Sequence, residues 1–235
     1  MTSVNTATDA VAVPLLITTT NTNVRDLTIT ASGPSTCSLW GIRLVSMTGE
    51  INDVTVNLSG GGVAQGITSK SFSTPKIHGA HITVTAPSSW GYGFLATGAG
   101  AFPEIEDARV EVNGGTLAYG LSQDTSAFTA AEIRGSTFIV SAPSGSATGV
   151  FFQGSNLRIS RSTLRASGGT SVGINGTGGG NILVDNSEIA GATATVSGGA
   201  VSIGGSKLDG GAASGATCAG VWDENYTFFA GPTCP

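Results

Sequence analysis

An eight-residue pattern recurs along this chain, with positions one, four, six and eight apolar or small and positions two, three, five and seven mostly polar. Its copies are VRDLTITA from Val24, INDVTVNL from Ile51, IHGAHITV from Ile77, IEDARVEV from Ile105, IRGSTFIV from Ile133, ISRSTLRA from Ile159, VDNSEIAG from Val184 and IGGSKLDG from Ile203. Successive starts lie 27, 26, 28, 28, 26, 25 and 19 residues apart. A second marker, Gly followed by an apolar residue, comes 14 to 17 residues after each start: Gly41-Ile42, Gly66-Ile67, Gly93-Phe94, Gly120-Leu121, Gly149-Val150, Gly173-Ile174, Gly199-Ala200 and Gly220-Val221. Two markers that hold phase through eight copies define a structural repeat.

Alternation at positions four, six and eight is the period of a strand with one face buried, and positions two and three, rich in Asn, Asp and Gly, form a tight bend. So short a unit cannot bury its apolar face alone and must stack on its neighbours. The pattern predicts an all-β, single-domain right-handed parallel β-helix of about eight coils over residues 23–222. Residues 1–22 form a lead and N-terminal cap, and 223–235 a C-terminal cap. Ala10 to Thr22 is expected to cover one open end. Trp222, Tyr226, Phe228 and Phe229 are expected as the core of the cap at the other. The short interval of 19 residues predicts that the seventh coil has lost its third side. Glycine is expected at bends that need positive φ, with the Gly of the second marker turning a corner.

Composition narrows the partners. Only 11% of the 235 residues are charged, and the formal net charge is −5 with no Lys/Arg cluster, which argues against nucleic acid or an anionic membrane. No apolar run approaches the ~18 residues of a membrane span, so no membrane insertion is expected. The 36 glycines follow no Gly-X-Y period, which excludes collagen. Cys218 and Cys234 lie on the two limbs of the C-terminal cap, where a bridge contributes about 3 kcal/mol on the loop-entropy account. Cys37, in the first coil, is too far from either and is a free thiol or an intermolecular partner. A bridged cap and weakly charged faces place the protein outside the cell, or on a cell or virion surface, although the first ten residues carry no leader pattern.

Stacking turns sequence positions into columns about 4.8 Å apart. Position five reads Thr28, Thr55, His81, Arg109, Thr137, Thr163, Glu188, Lys207, and position seven reads Thr30, Asn57, Thr83, Glu111, Ile139, Arg165, Ala190, Asp209; both are expected to face solvent. His81, Arg109 and Glu111 therefore form a polar patch that is a candidate ligand site, with a plain solvated face as the simpler expectation. Glu188 and Lys207 are expected as a cross-coil ion pair. At position two, His78, Glu106 and Arg134 read as a charge ladder. The residue before the second-marker Gly is Trp40, Gln65, Tyr92 and Tyr119 in the first four coils, with Trp90 close by. These rings either form a sugar-stacking platform or point inward or pack at a corner, since Trp40 and Ile42 share parity in an extended strand. No metal or cofactor site is expected.

The coil repeat resembles that of the right-handed parallel β-helix superfamily, which includes pectate lyases, polygalacturonases and phage tailspikes, over residues 24–222. For the enzymes, the resemblance implies an acidic calcium cluster with a basic residue, or several aspartates converging with a His and a basic pair. Asp26 and Asp53 are followed at position three by Gly79, Asp107 stands between Gly79 and Gly135, and Glu104, Glu106 and Glu111 share one coil. No catalytic residue is nominated on that pattern. The expected function is a non-enzymatic structural or adhesive module of a surface or fibre-type protein, binding a polysaccharide or cell-surface glycan. The alternative is a carbohydrate-active enzyme, a lyase or hydrolase, with an unrecognised site. Outward apolar residues Leu95, Ile139 and Phe151 point to lateral association, with a homo-trimer by analogy to the tailspikes.

Overall fold

The structure, a computed structural model, describes the chain apart from residues 1, 7–10, 14, 102, 124–129, 155 and 179; at 2–6, 11–12 and 130 only the backbone is described. Among the described residues there is no helix. The strands wind as a parallel β-solenoid of about seven turns, so the eight copies of the motif bound one turn fewer than the eight coils expected. Each turn has three sides. The first carries short strands such as Glu50–Asn52, Lys76–His78 and Glu104–Glu106; the second carries Thr55–Gly60, His81–Ala86 and Arg109–Gly114; the third carries Val63–Lys70, Trp90–Thr97 and Leu117–Gln123. Each strand pairs in parallel with its counterpart one turn away, Ile51 on Ile77 on Ile105, and Val56 on Ile82 on Val110.

The alternating pattern follows directly from this register. From Ile51 to Ile203, every position-one side chain is buried, as are all eight at position six, from Ile29 to Leu208. Each such Ile or Val removed from water contributes about 1.5–3 kcal/mol, so the stack is held by its interior. None of the residues at positions five and seven is buried, as the columns predicted.

Position three carries the bend. Asp26, Asp53, Gly79, Asp107, Gly135, Arg161, Asn186 and Gly205 all adopt left-handed backbone, with φ between 46° and 64°. Gly, Asn and Asp tolerate this region; Arg161 is the residue with no such excuse. The second-marker glycines from Gly41 to Gly173 serve a different purpose, whereas Gly199 and Gly220 also take positive φ. A Cβ on Gly93 would lie 2.2 Å from Val110 Cγ1 and 2.7 Å from the Gly120 carbonyl oxygen, so the glycine permits close approach between coils.

Position four changes character midway. It is apolar through Ala108 and then reads Ser136, Ser162, Ser187, Ser206, all nearly inaccessible. Each hydroxyl accepts the position-four amide of the preceding coil: Ala108 N–H to Ser136 at 3.1 Å, Ser136 to Ser162 at 3.2 Å, Ser162 to Ser187 at 3.1 Å and Ser187 to Ser206 at 3.1 Å. Each also donates to the carbonyl two residues earlier, at 2.7–2.9 Å. The ladder satisfies amides that the bend turns away from the strand hydrogen bonds.

Two expectations about the periphery, on the seventh turn and on the C-terminal aromatics, are corrected. The seventh turn keeps its third side: Ala194, Val196 and Ser197 pair with Val172, Ile174 and Asn175, and the connecting loop is what has shortened. At the N-terminal end, Val11–Ala12 and Leu15–Ile17 lie in parallel on Ser38–Leu44 as a further rung, while Ala10 and Pro14 lie outside the described residues. At the C-terminal end the aromatics are not a core. Tyr226 is 73% exposed, Phe228 57% and Trp222 37%, while Val221 and Cys218 fill the interior and Phe229 packs partly against it. Trp222 and Phe228 meet at 5.3 Å in a short antiparallel pairing, and a Cys218–Cys234 disulfide, Cα atoms 5.1 Å apart, ties the tail down. So small a tail has too little surface to bury its own rings, and the disulfide holds it where a core would otherwise be needed. Cys37 is buried, 2% exposed, and stands outside the disulfide.

Candidate functional site

The third face carries an aromatic groove because alternation fails there at one point. Leu39 faces the core and Trp40 faces out, but Gly41 and Ile42 are both buried before Arg43 turns out again. The same irregularity recurs at Gly66-Ile67, Gly93-Phe94 and Gly120-Leu121. Trp40 and Ile42 therefore do not share a side, and the rings point outward, contrary to the parity argument. A glycine with no side chain to place lets the strand kink inward without filling the core twice.

Along this face, Val63, Gln65, Trp90, Tyr92, Leu95, Leu117, Tyr119, Ser122 and Phe151 line a groove of about 440 Å³. Trp90 is 43% exposed. Tyr92 and Tyr119, register partners in adjacent coils, stack at 5.3 Å with planes 14° apart, and Phe151 meets Tyr119 edge-on at 5.8 Å. Rings stacked along the coil axis at nearly the coil spacing present their edges and hydroxyls to the surface, so Trp90 is the ring most open to a ligand. Burial pushes the Tyr119 phenol above its ordinary value of 10.0. Among the described residues, none that lines the groove is charged. Trp40 lies apart: Gln65 interrupts the column and accepts a 2.9 Å hydrogen bond from Thr68 Oγ1, while the Arg43 guanidinium sits 4.9 Å from the Trp40 ring centre.

The second-face candidates come together less. His81 and Arg109 are register partners and both exposed, but the Arg109 guanidinium is already claimed by Glu111 of its own coil through Nε at 2.8 Å and through Nη2. Glu188 also chooses otherwise than expected. It pairs with Arg165 at 2.8 Å, and Lys207 with Asp209 of its own coil at 3.5 Å. Positions five and seven lie on the same side of one strand, so pairs within a coil and diagonals compete with the straight ladder.

The first face holds a more connected group. His78, Glu106 and Arg134 stack in register, and with Lys76, Glu104 and Glu132 they line a pocket of about 130 Å³. Arg134 Nε lies 3.0 Å from Glu106 Oε1, Lys76 Nζ 4.0 Å from Glu104 Oε2, and His78 Nδ1 3.9 Å from Glu106 Oε2 and 3.8 Å from Asp107 Oδ2. The position-two column named three of these side chains. Asp107 escaped it because the left-handed bend at position three swings its carboxylate back beside position two.

Family models, curated proteins and solved structures yield no match to this chain. The parallel β-solenoid is thus established by the coordinates and their register, and no family or superfamily is assigned by sequence or structural likeness. Among the described residues, no helix is long and apolar enough to cross a membrane.

Proposed function

We propose that this solenoid is a non-enzymatic binding module of a surface or fibre-type protein that takes a neutral glycan along its third face. One observation carries the reading: an uncharged groove in which Trp90, Tyr92, Tyr119 and Phe151 lie on consecutive coils beside the amide of Gln65 and the hydroxyl of Ser122. Rings give apolar area to the C–H faces of a sugar, and the phenol and amide groups at their edges hydrogen-bond its hydroxyls. A uronate polymer would bring carboxylates that nothing in the groove neutralises. The disulfide-tied cap and the low surface charge fit an extracellular setting, and the coil architecture fits the tailspike-like members of the β-helix superfamily.

The test is binding to a panel of neutral and acidic polysaccharides, with Trp90→Ala, Tyr92→Ala and Arg109→Ala compared. Neutral glycans are expected to bind, with loss in the first two variants and none in Arg109→Ala. Binding confined to acidic polymers, or untouched by Trp90→Ala, refutes the groove. Release of reducing ends or unsaturated uronates would instead establish the enzyme alternative. Leu95 and Phe151 lie in the same groove, so a homo-trimer packed on this face would close it to glycans. A trimer by sedimentation, dissociating on Phe151→Ser, would transfer the groove from ligand to interface.

A further inference from the structure

On the first face, away from the aromatic groove, two carboxylates each turn one oxygen toward the same imidazole. Glu106 Oε1 lies 3.0 Å from Arg134 Nε as an ion pair without hydrogen-bond alignment, and its Oε2 lies 3.9 Å from His78 Nδ1. Asp107 lays Oδ1 over Gly135, where an added Cβ would stand 2.3 Å from it, leaving Oδ2 at 3.8 Å from the same nitrogen. The three donor atoms lie within 4.8 Å of one another. Separations of 3.8 and 3.9 Å are too long for hydrogen bonds, so the imidazole and the carboxylates face each other across a gap. Ligands of a tetrahedral ion with bonds near 2.0–2.1 Å lie about 3.3 Å apart, so small side-chain rotations would close the gap on an ion. Charge agrees: Glu104, Glu106, Asp107 and Glu132 against Lys76 and Arg134 leave a formal −2, counting the imidazole as neutral.

We infer that His78, Glu106 and Asp107 form a surface site for a divalent transition metal of the zinc class. One nitrogen and two carboxylate oxygens suit zinc, and a histidine nitrogen is a poor donor for calcium. Arg134 acts as the positioning residue that fixes the Glu106 carboxylate. Three protein ligands leave at least one coordination position open to water, a ligand or a second chain.

Calorimetric titration of the whole chain with zinc chloride tests this, with circular dichroism verifying that each variant is folded. One zinc per chain is expected, weakened tenfold or more in both His78→Ala and Asp107→Asn, by about tenfold in Arg134→Gln, and unchanged in His81→Ala. Zinc should also shift the His78 side-chain nitrogen resonances and leave those of His81 in place, a readout independent of the variants' stability. No zinc uptake, uptake indifferent to His78→Ala, or equal loss in His81→Ala overturns the site. Calcium binding as tightly as zinc, and surviving His78→Ala, overturns the transition-metal assignment.

Discussion

Replacing Ser162 by alanine probes the buried hydroxyl ladder where it is flanked on both sides. Ser162 Oγ accepts the Ser136 amide at 3.2 Å and donates to the Ser160 carbonyl at 2.8 Å, at a residue only 3% exposed. Alanine fits the space without strain, so the cost is the polar groups left behind. The Ser136 amide, at a residue 1% exposed, loses its acceptor. A buried donor so orphaned costs about 1–3 kcal/mol. Taking about 2 kcal/mol, the melting temperature of a chain this size falls by roughly 4–8 °C. Hydrogen exchange reports the position of the damage: the Ser136 amide should exchange roughly 30-fold faster, from 1.4 kcal/mol per decade, whereas the Ser162 amide keeps its bond to Ser187 Oγ. Ser202→Ala, on an exposed residue of the last turn, is the control and should change stability by less than about 0.5 kcal/mol. A Ser162→Ala protein that melts with the Ser202→Ala control and protects the Ser136 amide as before would refute the ladder as a source of stability.

Gly93→Ala sets a Cβ 2.2 Å from Val110 Cγ1 and 2.7 Å from a backbone carbonyl of the next coil, and chemical denaturation should show a loss of about 1–3 kcal/mol. Arg161→Gly relieves a bulky residue held at φ 48° and should gain up to about 1 kcal/mol in the same assay, against the usual cost of introducing glycine. Cys218→Ser with Cys234→Ser opens a loop of sequence separation 16 and should cost about 3 kcal/mol, measured with the oxidised parent as reference. The Tyr119 phenol, raised by burial, should titrate above 10.0 in a difference spectrum against Tyr119→Phe. Because the raised value favours the neutral form in the folded state, its contribution to stability is complete below the unfolded pKa and is lost as pH climbs through the folded one.

The sequence by itself determined the repeat, the strand alternation and the bends, because in a solenoid each turn contacts the next through the same positions. Ile51, Ile77 and Ile105 are local signals repeated, and their stacking needs no long-range information beyond the period. The position-two charges were legible for the same reason. What only the tertiary structure decided lies where the period is broken or where backbone angles redirect a side chain. Gly41 and its counterparts invert the parity of Trp40 and Tyr92, so counting from Ile42 gave the wrong side. The bend at Asp107 carries its carboxylate to His78, two columns that read as separate in sequence. The serine ladder was hidden because serine at a buried position reads simply as small, and only the register shows its hydroxyl meeting an amide from the neighbouring coil. Aromatic content misled at the cap, where Tyr226 and Phe228 are exposed, because composition records what a segment contains and not whether a neighbour exists to cover it.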